Sequence, residues 1–302
     1  MGIFKKAKII VNPAANHGET AKIIPFLKSL LNKKIDYKLE LTHHPKHAIE
    51  IAKHLDGYDL VVSVGGDGTA HEVANGLALS NNQQTALAIL PTGSGNDFAR
   101  TLKIPKNLKL AVKEILEGKP KMVDLGWVNG VYYSNSLGIG FDAKVAHLAN
   151  RIKNEVKKAG ITLYLIALFR ILMRDFCCHQ IRLTIDGNSW EEKIVTLIAA
   201  NLGVSYGGGF LITPKAKNDD GLLEVCLIDE LSAVQIVPRL PFVIIGKHSW
   251  MRQAHFYQAK KLKVQSETLL PAHVDGELLE SQEFEIKVIP SSLKVVVPDR
   301  RQ

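Results

Sequence analysis

The chain has 302 residues, 46% of them apolar and 23% charged, with a formal net charge of +8. That length favours two packed units over one, and the composition excludes a largely disordered chain. The positive balance favours an anionic partner, and without basic stretches interleaved with aromatics, zinc-finger spacing or a helix-turn-helix pattern, nucleic acid falls behind a polyphosphate or an acidic membrane surface.

Buried strands are expected at residues 7–11, 60–64 and 86–90, with a weaker one at 37–41, and helical periodicity fills 20–31, 47–55, 69–79 and 108–116. Strands alternating with helices predict a parallel sheet covered by helices, which binds ligands beyond the carboxyl ends of its strands. From about Val123 the rhythm turns to strand-like segments broken by turn residues, with Asp186-Gly187 and Asp275-Gly276 each between candidate strands, so this half is expected to be mainly antiparallel. The exception is residues 144–176, where ITLYLIALFRILM follows Arg151, Lys153, Lys157 and Lys158 and reads as a helix buried against a sheet or as a basic amphipathic helix on a membrane surface. No apolar run reaches the roughly 18 residues that cross a bilayer, and the opening MGIFKKAKIIVN shows no cleavage site, so the expectation is a cytoplasmic protein. Cys177, Cys178 and Cys226 form neither a disulfide framework nor a metal-ligand spacing and read as buried small side chains.

Two segments carry chemistry. In VVSVGGDGTAHEVANGL a buried strand delivers Gly65-Gly66-Asp67-Gly68-Thr69 directly before a helix. Glycines let backbone N–H groups approach phosphate oxygens, and the helix N-terminus favours an anion. Asp67 beside phosphates suits a metal–nucleotide complex, whereas the bland reading is a turn in which Asp67 or Thr69 caps the helix. In ILPTGSGNDFAR a second strand runs into Thr92, Gly93, Ser94 and Asn96, which reads alternatively as a ligand cradle or a capped turn. His43, His44 and His47 in THHPKH read as an exposed turn at a helix start, and no metal is assigned there.

Taken in order, IIVNPAANHG, Thr42 before KHAIEIA, GGDGT, PTGSGNDFAR, NSLGIGFDA, YGGGFLITPKAKNDDGLLEV and HVDGE resemble the diacylglycerol kinase catalytic domain family over nearly the whole chain. That family includes sphingosine and ceramide kinases and is distantly similar to NAD kinases and phosphofructokinases. The resemblance implies an α/β protein of two domains. An α/β nucleotide-binding domain at residues 1–124 is completed by 291–302, and a mainly antiparallel β-sandwich at 125–290 takes the lipid, with the nucleotide and active site between them.

It implies ATP and Mg²⁺ as cofactors, with nucleotide contacts from Asn12, Pro13, Ala14, Ala15, Asn16, Thr42, Gly65, Gly66, Asp67, Gly68, Thr69, Ala70, His71, Glu72, Thr92, Gly93, Ser94 and Asn96. A structural magnesium falls on Asp220 with the backbone oxygens of Lys217 and Leu222. The catalytic carboxylates fall on Asp275 and Glu277, one of them the base for the lipid hydroxyl, while Asp67 and magnesium neutralise the transferring group. On spacing alone Asp275-Gly276 is a hairpin turn.

The implied activity is ATP-dependent phosphorylation of a lipid hydroxyl, diacylglycerol first, by a protein that docks transiently on a membrane and binds no nucleic acid, with a homodimer left open. His71 resembles the sphingosine and ceramide kinases, whereas PTGSGNDFAR resembles the bacterial lipid kinases. The alternatives are a sphingosine-type kinase, an NAD kinase and a non-catalytic nucleotide-binding regulator.

Overall fold

A computed structural model describes residues 3–32, 34–80, 84–156 and 160–299. Lys157 and Lys158, counted above among the basic residues before the long apolar run, lie outside them. The chain divides into two compact units, Met1–Val123 with Ser291–Gln302, and Asp124–Pro290.

In the first unit β1 (Lys6–Val11), β2 (Asp36–Leu41), β3 (Leu60–Gly65) and β4 (Ala86–Pro91) form a parallel sheet. Its order is β4-β3-β1-β2, and Val295 of the last strand pairs in parallel with Leu87 of β4. Every residue of β3 and β4 is buried, which is why these strands read as unbroken apolar runs rather than alternations. Burying each such Leu or Val side chain contributes about 1.5–3 kcal/mol.

The helices are α1 (Glu19–Lys22), α2 (Ile24–Leu31), α3 (His47–Lys53), α4 (Asp67–Leu79), α5 (Asp97–Thr101) and α6 (Leu108–Glu117). The single helix expected over 20–31 is two, because Pro25 lies in the first turn of α2, where its missing N–H does no harm, but would break a helix continuing from α1.

The chain enters the second unit along β5 (Lys119–Val128), and that unit holds β6 (Val131–Tyr133), β7 (Leu137–Gly140), α7 (Phe141–Val156), α8 (Gly160–Arg174), β8 (His179–Ile185), β9 (Asn188–Asn201) and β10 (Leu223–Asp229). After α9 (Ala233–Ile236), a 3₁₀ turn (Val237–Arg239) and α10 (Leu240–Ile244) come β11 (Ala254–Ala259), β12 (Lys261–Val274) and β13 (Glu277–Val297). Its strands are antiparallel in the order β11-β10-β9-β7-β12-β13, with β8 pairing both β9 and β12.

One core, including Tyr133, Leu137, Val225 and Phe284, lies within the strands. A second packs α7, α8 and the α9–α10 segment together through Val145, Leu163, Ile171, Ile236 and Leu240. The apolar run at 161–173 is therefore a half-buried helix, with Leu163, Ala167, Leu168 and Ile171 inward and Met173 outward. No helix among the described residues is long and apolar enough to cross a membrane.

Candidate active site

Because β1, β3 and β4 run in parallel, their carboxyl ends deliver three loops to one edge of the first unit's sheet. The ladder continues past the strands: Asn12 N–H donates to Val64 O (3.0 Å), Thr42 N–H to Val11 O (2.9 Å) and Thr92 N–H to Gly65 O (2.8 Å). The Asn12 side chain then closes its own loop, accepting from Ala14 N–H at 3.0 Å and donating to Thr69 Oγ1 at 3.3 Å. Pro13 and Ala15 complete that turn, and Asn16 leaves it in the left-handed region at φ 52°. The Thr20 and Thr92 hydroxyls meet at 2.8 Å, which ties the first loop to the third.

The helix α4 begins at Asp67 behind an extended Gly66, and no side chain caps it. Neither Asp67 nor Thr69 takes the capping role that spacing allowed, so the N–H groups of the first turn, from Asp67 to Thr69, remain oriented for an anion. Thr69, Ala70 and His71 are buried, with His71 Nε2 3.3 Å from the Asn75 amide nitrogen. The Glu72 carboxylate accepts from Lys46 N–H (2.9 Å) and Ala48 N–H (3.1 Å), so it fixes the start of α3.

Asp67 reaches the other glycine loop instead. Its carboxylate accepts from Asn96 N–H and Asp97 N–H, both at 2.6 Å, and from Phe98 N–H at 3.3 Å, so it satisfies the open end of α5. Burial pushes this carboxyl up to about 7, the Asp97 charge adds to the rise, and the three N–H donors oppose it. The Asn96 side chain folds back on Gly93, donating to its carbonyl at 2.7 Å and accepting its N–H at 3.1 Å, and leaves Ser94 half-buried at the bend.

Packing alone requires several of these glycines. A β-carbon on Gly93 would lie 2.3 Å from Gly66 Cα, one on Gly65 2.3 Å from Thr69 Oγ1, and one on Gly95 2.6 Å from Asp67 Oδ2.

In the second unit Asp275 and Gly276 both have positive φ (50° and 93°) between paired Val274 and Glu277, the geometry of a two-residue hairpin turn. The Asp275 carboxylate also accepts from Ser134 N–H (2.8 Å), Ser134 Oγ–H (3.2 Å), Asn135 N–H (3.0 Å) and Ser136 N–H (2.8 Å). Asp186, the first residue of the Asp186-Gly187 turn, accepts from Lys260 and Lys261 N–H in the same manner. Glu277, one residue past the Asp275 turn, is exposed.

The loop carrying Lys217, Asp220 and Leu222 collects acid. Asp220 accepts from Leu222 N–H at 3.2 Å, and buried Asp124 accepts from Gly221 N–H at 2.7 Å while donating its own N–H to Asn218 O. Burial raises the nearby Glu224 carboxyl, and the Asp220 charge adds to that rise. A carboxylate and backbone carbonyls are the hard oxygen donors that a divalent cation takes. Among the described residues, the group with possible ligand atoms within 4.8 Å of one another is His44, His47 and Glu50, where His47 Nδ1 is engaged by the His43 N–H.

Between α7, α8 and the α9–α10 segment lies a cavity walled by carbon, including Phe141, Val145, Leu168, Phe210 and Leu240. Its polar lining residues include Thr196, Arg239 and Asp142, whose Oδ2 accepts from Tyr206 Oη–H at 2.5 Å and lies 3.5 Å from His273 Nε2 without hydrogen-bond geometry. Asp142 Oδ1 and both His273 ring nitrogens are buried without a hydrogen-bond partner. Gly138 is required there, since a β-carbon would meet Asp142 Oδ2 at 2.0 Å.

Residues 6–128 match the diacylglycerol kinase catalytic domain family, and residues 135–297 match the YegS C-terminal NAD kinase beta sandwich-like domain. A diacylglycerol kinase of Mycobacterium tuberculosis is 30% identical, with 97% of this chain and 95% of that protein aligned. The chain belongs to the diacylglycerol kinase family. A diacylglycerol kinase of Staphylococcus aureus is 29% identical over 90% of this chain and 86% of its own. The fold agrees with a Bacillus anthracis diacylglycerol kinase structure at a TM-score of 0.73 and 23% identity, each chain covered to 99%. It agrees more loosely with an Archaeoglobus fulgidus NAD kinase in complex with ATP, at a TM-score of 0.55 and 15% identity, over 98% of this chain and 94% of that one.

The chain is thus a lipid kinase by family. Sequence reasoning passed over the kinase's Asp142–Tyr206–His273 group. Its sequence signals were Asp142 in NSLGIGFDA, Tyr206 at the start of YGGGFLITPKAKNDDGLLEV and His273 in HVDGE, far apart in the chain, with four strands and three α-helices between the first and the last.

Proposed function

We propose that this kinase transfers the γ-phosphoryl group of ATP to a lipid hydroxyl, with diacylglycerol as the first candidate acceptor. The observation that carries the lipid over a ribose acceptor is the carbon-walled cavity, with the unsatisfied Asp142 Oδ1 on its wall. Acyl carbon would fill the cavity, and a polar group of the lipid would satisfy the orphaned Asp142 oxygen, whose desolvation otherwise costs about 1–3 kcal/mol.

The uncapped start of α4 and the Asn12, Thr42 and Thr92 loops would hold the nucleotide phosphates, with Ser94 beside them. Magnesium, when bound, neutralises phosphate charge, and the 217–222 loop would hold a structural ion through Asp220 and the carbonyls of Lys217 and Leu222. Glu277 fits the base better than Asp275. Its carboxylate is exposed, whereas Asp275 already accepts four hydrogen bonds that favour its ionised form and weaken it as a proton acceptor.

The purified protein should be given γ-labelled ATP, magnesium and, separately, diacylglycerol, sphingosine and ceramide in mixed micelles, and NAD in buffer. Label on diacylglycerol supports the reading, label on sphingosine or ceramide changes the acceptor, and label on NAD overturns it.

A further inference from the structure

The segment from Ala233 to Ile244 is three short helical pieces in succession, and Ile236, Val237, Arg239 and Leu240 at their junctions all keep right-handed helical backbone. Its inner face is spent on the core: Ile236, Leu240 and Val243 wall the carbon-lined cavity. Its outer face should be polar if water is its only neighbour.

It is not polar. At about 100° per residue, Val234, Val237, Pro238, Pro241, Phe242 and Ile245 fall within an arc of about 140° opposite the cavity-facing side chains. All six are exposed, Val234 to 82% and Ile245 to 54%. Trp250, 65% exposed, stacks edge-on against Phe242 with ring centroids 5.2 Å apart and extends the patch.

The charges along this stretch of chain have one sign. Between Glu230 and Glu267 the sequence has no acidic residue, while exposed Lys247 and Arg252 follow the helical segment and flank Trp250. A second copy docking by the same face would set these cations against their own equivalents. An anionic bilayer surface complements both features, taking the aliphatic and indole side chains into the boundary between headgroups and acyl chains and pairing the cations with lipid phosphates.

We propose that the Val234–Trp250 surface docks this kinase on anionic membranes and sets the cavity, through the other side of the same helical wall, next to the lipid pool. The proposal rests on the lipid-acceptor reading for its purpose, but docking is measured without turnover.

The full-length protein should be sedimented with phosphatidylcholine vesicles and with vesicles containing phosphatidylglycerol, in wild type and in Val234→Glu/Ile245→Glu and Lys247→Glu/Arg252→Glu variants. Thermal melts confirm folding, and phosphoryl transfer to dispersed dioctanoylglycerol is measured in parallel. Wild type should bind the anionic vesicles. The apolar-to-acid pair should lower partitioning at least tenfold, and the charge-reversed pair should remove the preference for anionic lipid, both with dispersed-substrate activity retained. Wild-type protein that ignores anionic vesicles, or acid-substituted protein that binds as wild type does, overturns the proposal. So does a solution dimer dissolved by Val234→Glu while vesicle binding persists. Failure of the dispersed-lipid assay with vesicle binding intact instead counts against the lipid-acceptor reading alone.

Discussion

Gly93→Ala is the sharpest perturbation of the glycine loops, because its consequence follows from distance alone. The added carbon would sit 2.3 Å from Gly66 Cα, 3.2 Å from Gly66 N and 3.1 Å from Asn96 Oδ1. Carbon pairs rest at about 3.5–4.0 Å, so the second and third loops must part by more than about 1 Å. The obstacle is backbone rather than a flexible side-chain tip, and Gly93 is not among the glycines at positive φ, so the effect is packing and not dihedral strain. Overpacking of this kind costs about 1–3 kcal/mol of stability. A displacement of about 1 Å at a phosphate cradle costs on the order of 100-fold in turnover. Gly66→Ala is the graded comparison, since its carbon lies 3.2 Å from Gly93 Cα and asks for a smaller shift. Thermal melts and fluorescent-nucleotide titrations should rank wild type above Gly66→Ala and Gly66→Ala above Gly93→Ala. A Gly93→Ala protein that melts with wild type and binds nucleotide within twofold of it would refute the claim that close approach of the two loops builds the site.

Asp67→Asn tests the buried carboxyl. Its folded value is raised from 3.8 to about 7, so its contribution to stability is full below about pH 4 and is lost as pH rises through 7, a change of about 4 kcal/mol. Urea unfolding at pH 5 and pH 8 should show wild type losing stability with pH and the variant losing much less, from a lower starting point because Asn offers one acceptor fewer. The two candidate bases should separate in the same spirit. Asp275→Asn turns an amide toward three N–H donors and should lower stability by about 2–3 kcal/mol, whereas Glu277→Gln on the exposed strand start should stay within about 0.5 kcal/mol of wild type while label transfer falls at least ~100-fold. Tyr206→Phe leaves Asp142 Oδ2 without its 2.5 Å hydrogen bond and should cost about 1–3 kcal/mol in denaturant unfolding.

The parallel strands of the first unit were legible because strands buried on both faces leave continuous apolar runs, and the glycine loops were legible because they follow those runs directly. What Asp67 does was not legible. Its partners are the N–H groups of Asn96, Asp97 and Phe98, about thirty residues on, and backbone donors leave no mark in a side-chain pattern. The Asp275 and Asp186 turns show the same limit, since both dipeptides form the hairpin their sequence predicts while the further contacts of each carboxylate depend on which strand lies alongside. The Ala233–Ile244 helix was missed for another reason. Two prolines and apolar residues on both faces erase the 3.6-residue alternation by which amphipathic helices are recognised.

Transfer of label from γ-labelled ATP to diacylglycerol in mixed micelles with magnesium, wild type beside Glu277→Gln, bears most directly on the central claim. The account predicts a labelled lipid phosphate formed by wild type and lost in the folded variant. Label released only as inorganic phosphate, or a Glu277→Gln protein that phosphorylates the lipid at the wild-type rate, would contradict it.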